Sequence, residues 1–141
     1  MDTQTWVRRG IYAAAATNIL GSLIFSKGYG DALGAQFPAL FGTWGLILIQ
    51  VWGLAYLAGA RPWPRTSPLF LVFAIEKAVY VASWALWLLQ RGGDLPALFA
   101  NDPMTALFFA SYGLVDGLFG LFFLWGWHRG RQGLAQETAS S

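Results

Sequence analysis

LFLVFAIEKAVYVASWALWLLQ, running from Leu69 to Gln90, is long and apolar enough to cross a bilayer, yet it carries Glu76 and Lys77 well inside the apolar run. A span needs about 20 largely apolar residues. Ionisable groups within one are costly and face protein or water rather than lipid. The stretch therefore predicts a membrane helix built around a polar site, which the neighbouring segments must cover.

Three further apolar stretches are available for that: Gly10 to Ser26, Phe41 to Ala60 and Met104 to Trp127. None shows the short alternating segments of a membrane β-barrel, so all four read as helices. The first is small and rather polar, with Thr17, Asn18, Gly21 and Ser22, and suits contact with protein better than contact with lipid. The expected fold is all-α: an integral membrane four-helix bundle, up-down-up-down, with residues 1–128 as one transmembrane domain. Residues 129–141 are expected to be a disordered cytoplasmic tail.

Four spans put both termini and the middle connector on one side. That side holds Arg8, Arg9, Arg61, Arg65, Arg129 and Arg131; the other holds Lys27 and Arg91, offset by Asp31, Asp94 and Asp102. The bias places both ends in the cytoplasm of a bacterial inner membrane. Arg8 and Arg9 before an Ala-rich run imitate a secretory signal, but no small-x-small cleavage site follows, and the segment reads as a retained span.

Composition agrees. The chain of 141 residues is 56% hydrophobic and 11% charged, against about 25% charged in a soluble domain. Aromatics make up 17%, with 8 Trp, as expected of a protein anchored at two interfaces; Trp44, Trp63, Trp125 and Trp127, near span ends, read as such anchors. The basic residues flank apolar runs and form no stripe, so no nucleic acid is expected as a partner. There is no cysteine and one histidine, His128. Thiolate zinc, iron–sulfur and bis-histidine centres are excluded within one chain, and no metal or cofactor is expected.

The inner connector, RPWPRTSP at 61–68, has three prolines and reads as a stiff turn. Both outer connectors contain Gly-Asp and Pro-Ala-Leu-Phe, the latter at 38–41 and 96–99. They read as short amphipathic interfacial pieces; a duplicated hairpin and chance similarity are both open.

Depth ties the polar residues together. At about 1.5 Å per residue, Asn18, Gln50, Glu76 and Asp116 lie roughly 11–17 Å from the cytoplasmic ends of their spans. Each span thus supplies one strongly polar side chain to a common layer. Glu76, Tyr80 and Ser83 share a helical face, with Trp84 and Trp87 continuing it, and Tyr112 lies four residues before Asp116. Gly113, Gly117 and Gly120 let another backbone come close. Glu76 and Asp116 are the candidate catalytic residues, and Asn18, Gln50, Lys77, Tyr80, Trp84 and Tyr112 the candidate ligand-binding residues. Asn18 and Gln50 equally fit interhelical hydrogen bonding. Lys77 either snorkels toward the headgroups or pairs with a carboxylate.

No motif identifies a family. The constellation fits a protein that encloses a small lipophilic molecule between aromatic rings and buried carboxylates, with proton transfer such as isomerisation as its chemistry if it is an enzyme. It also fits a proton-coupled carrier, which requires a homodimer, or an accessory subunit of a larger membrane complex.

Overall fold

The computed structural model describes residues 2–60 and 63–140. Arg61 and Pro62, in the connector expected to be a stiff turn, lie outside them, as do Met1 and Ser141. Among the described residues the structure is all-helical, with no strand.

The first helical run starts at Asp2, whose side chain accepts from the Thr5 N–H at 2.7 Å, a common N-cap arrangement. It consists of α1 (Thr3–Ala16), a π turn (Thr17–Gly21) and α2 (Ser22–Phe25). Lys27, Gly28 and Tyr29 all have positive φ, so the chain reverses tightly, and the Ser26 hydroxyl accepts from the Tyr29 N–H at 3.0 Å. The short α3 (Ala32–Gln36) and α4 (Pro38–Phe41) lead into α5 (Thr43–Gly59). Next come α6 (Ser67–Arg91), a 3₁₀ turn, α7 (Leu95–Asn101) and α8 (Pro103–Ala139). Proline opens α4, α6, α7 and α8 within their first two positions, where its missing N–H costs nothing.

Two stretches, Ser67–Asn101 and Pro103–Ala139, are long and apolar enough to cross a membrane, and the apolar Thr43–Gly59 is shorter. The first helical run is not among them, consistent with its polar and small residues.

Helices α6 and α8 pack in opposite directions along their length. A Cβ on Gly130, Gly126, Gly120 or Gly113 would meet Ser67, Phe70, Lys77 or Trp84 in turn. The first run lies beside α5, with Ile19 against Gly53, and beside α8, with Phe122 against Gly10. Helices α5 and α6 meet where Tyr56 and Phe73 stack edge to face, 4.9 Å between ring centroids.

Two apolar clusters form. One, at the end nearer the termini, joins Val7, Ile11, Tyr56, Phe70, Phe73 and Phe123. The other, under the outer connectors, joins Leu33, Phe41, Leu46, Trp87, Phe109 and Tyr112. Lys27 pairs with Asp102 at 2.9 Å, tying the turn after α2 to the start of α8. That ammonium, with two donors from Thr105, pulls the Asp102 carboxyl down to about 2.

Three expectations change. The tail from residue 129 is not disordered up to Ala139, because α8 runs through it: Arg131, Gln132, Leu134, Ala135, Gln136 and Glu137 are good or fair helix formers, and Gly130 seats the helix against Ser67. Trp63 is no outward anchor; it is 9% exposed and donates to the Gly126 carbonyl at 3.3 Å. The two Pro-Ala-Leu-Phe segments are both helical but not equivalent, since Phe41 is buried at 2% exposure and Phe99 is 42% exposed.

Candidate functional site

Glu76 and Lys77 are consecutive on α6, so their side chains leave the helix about 100° apart and reach different neighbours. Glu76 turns to α5, where the Tyr56 hydroxyl donates to its Oε2. Lys77 turns between the first run and α8. Its Nζ donates to Asp116 Oδ1 at 2.6 Å and to Asn18 Oδ1 at 2.9 Å, lies 3.9 Å from Glu76 Oε2 and 5.4 Å from the Tyr56 ring centroid. Lys77 is 2% exposed. It pairs with a carboxylate and does not snorkel.

The π turn presents Asn18. Such a turn carries one residue more than an α turn would, and often marks a functional site. Asn18 is buried, and its amide donates to the Ile49 carbonyl at 3.1 Å while its oxygen receives Lys77. The amide is therefore both interhelical bond and lysine ligand. Each long helical element contributes to the cluster: Asn18 from the first run, Tyr56 from α5, Glu76 and Lys77 from α6, Asp116 from α8.

Gln50 is not the contribution of α5. It bonds Ser22 at 3.2 Å and the Tyr29 hydroxyl at 2.6 Å, a separate polar strip toward the outer turn. Tyr56 takes its place at the carboxylates, and nothing in the residue type marks it out. The signal lies in register: Tyr56 and Glu76 are equally distant from Thr66, and antiparallel helices joined by a short connector bring such residues together.

Beside the cluster lies a cavity of about 100 Å³, mostly apolar, with Glu76, Lys77 and Asp116 at one wall and Phe25, Phe41 and Phe108 among the others. Asn18, Tyr80 and Tyr112 also line it; Gln50 and Trp84 do not. Trp84 instead covers Gly113 and donates to the Phe109 carbonyl at 2.9 Å, locking α6 to α8. The exposed lining residues, Thr17 and Val115, belong to the first run and α8, which places the mouth between those helices. Gly21, in the π turn, also lines the cavity, and open space lies where its Cβ would be.

One ammonium faces two carboxylates. Glu76 is 7% exposed, and its Oε1 is buried without a hydrogen-bond partner. A carboxylate in that position must hold a proton or a cation to offset desolvation. No group of three or more metal-ligating side chains occurs among the described residues. No protein-family model, characterised protein or solved structure matches the chain.

Proposed function

We propose that this is an integral membrane protein of four crossing helices, up-down-up-down, that takes a small lipophilic molecule from the bilayer into the cavity beside Glu76, Lys77 and Asp116. Membrane insertion is supported by where the apolar side chains lie. Only 28% and 22% of the most apolar windows of the two long stretches are buried, and Leu54, Val79, Leu86, Leu118 and Leu121 stand more than half exposed around the outside. Apolar surface of that extent calls for lipid or protein cover. The first run, too polar for lipid alone, crosses with its Asn18 and Ser22 turned inward.

The observation that carries the ligand reading is the cavity itself: phenyl and phenol rings on its walls, charge at one end, a mouth in the lateral surface.

Gly21→Leu tests this. Nothing lies within 4 Å of the added Cβ, and leucine forms helix better than glycine, so the variant should fold and plug the cavity. Native mass spectrometry of gently purified wild-type protein should show a co-purifying small lipophile that G21L lacks. The same adduct on both proteins, or none on either, rejects the reading.

A further inference from the structure

Resting on that reading, we infer that the ligand carries a basic amine, which docks against Glu76 while its apolar body lies among Phe25, Phe41 and Phe108. Three observations meet here. The cluster has two carboxyl groups and a single lysine. Glu76 lines the cavity, is more than nine-tenths buried, and has Oε1 free of any partner. Aromatic rings stand on the walls, Phe25, Phe41, Phe108 and Tyr112 among them, and such rings attract an ammonium. Lys77 leaves Glu76 Oε1 unpartnered: its ammonium hydrogen-bonds Asp116 and Asn18 and comes only to 3.9 Å from the other oxygen, Oε2.

The amine need not bring charge through the acyl chains. Before binding, Lys77 balances Asp116 and a proton on Glu76 neutralises the second carboxyl. An uncharged amine entering from the lipid accepts that proton: one O–H bond breaks, one N–H bond forms, and a carboxylate faces an ammonium. The net charge of the cavity is unchanged. An anionic or merely apolar ligand leaves Glu76 Oε1 as it was.

The probes are N,N-dimethylbenzylamine and its uncharged carbon counterpart isobutylbenzene, titrated calorimetrically into nanodiscs containing the full chain, with empty nanodiscs subtracted. The amine should bind about 10-fold or more tighter, the range of a charge-assisted hydrogen bond. Repeating the titration in buffers of different ionisation enthalpy should show about one proton released per amine taken from neutral water, and none for isobutylbenzene. Glu76→Gln, which still accepts from Tyr56, should bring the two probes to similar affinity. Equal affinity in the wild type, a comparison that needs no variant, overturns the amine and leaves the cavity standing. An amine preference that survives E76Q overturns the role of Glu76. Failure of both probes to bind overturns the cavity reading and the amine with it.

Discussion

Lys77 is the residue on which the polar cluster balances. Its ammonium is held by Asp116 and Asn18, with Glu76 at 3.9 Å, so Lys77→Met leaves two carboxyls facing each other with no cation between them. Removing one partner of a buried ion pair costs about 3–5 kcal/mol, and the unfolding midpoint of the purified protein should fall accordingly. Adding Asp116→Asn removes the charge that Lys77 balanced. The double variant should recover about 1 kcal/mol or more relative to the sum of the singles, and strict additivity would show that the two side chains do not interact. Four members of this cluster could be found in the sequence, because Asn18, Glu76, Lys77 and Asp116 are polar residues stranded in apolar runs. Tyr56 could not. A tyrosine in an apolar helix is ordinary, and only the facing register of α5 and α6 gives it a carboxylate to bond. Gln50 was conspicuous for the same reason as the four, yet its helical face turns it to Ser22 and Tyr29.

Elements meet through glycines that the sequence presents as equals and the structure separates. Gly113 and Gly117 both lie on α8 facing α6. A Cβ at Gly113 would run into the Trp84 indole, whereas one at Gly117 would rest 3.8 Å from Val81 Cγ2. Gly113→Ala must therefore displace the indole that donates to the Phe109 carbonyl, an overpacking cost of about 1–3 kcal/mol. Gly117→Ala meets only ordinary contact and gains helix propensity, up to about 1 kcal/mol. Thermal unfolding in detergent should move in opposite directions for the two variants; a shift of the same sign would mean that α6 and α8 do not approach as described. The existence and order of the long helices followed from hydropathy and proline placement. The π turn did not, because no residue pattern in Thr17–Gly21 separates it from an α turn; Asn18 within it bonds the Ile49 carbonyl of α5 and Lys77 of α6. The helical end of α8 was hidden for another reason: a polar, small-residue tail lacks the apolar period that signals a buried helix, and Gly130 acts through contact with Ser67 rather than through sequence pattern.

For the molecule as a whole, charge and shape point the same way. Arg8, Arg9, Arg65, Arg129 and Arg131 gather at the end where the chain termini and the α5–α6 connector lie, and none of them forms a salt bridge within the chain among the described residues. The opposite end spends its cations internally, Lys27 on Asp102 and Arg91 on Asp94. In the four-crossing arrangement proposed above, arginines free of intrachain salt bridges at one end would face the cytoplasm, where anionic headgroups and the insertion bias both favour them. The chain has no cysteine, so single cysteines report sidedness without background. Thr3→Cys and Gln136→Cys should resist a membrane-impermeant maleimide in intact cells and react after permeabilisation. Ala35→Cys and Gly93→Cys, in the outer connectors, should react in both conditions. Two crossings instead of four also predict a protected C-terminus if α6 and α8 alone insert, but they then leave Thr3 and Ala35 on the same side. The pairing of a protected Thr3 site with a reactive Ala35 site is thus what the first run's crossing requires, and equal labelling of those two positions would remove Asn18 from any membrane-embedded site.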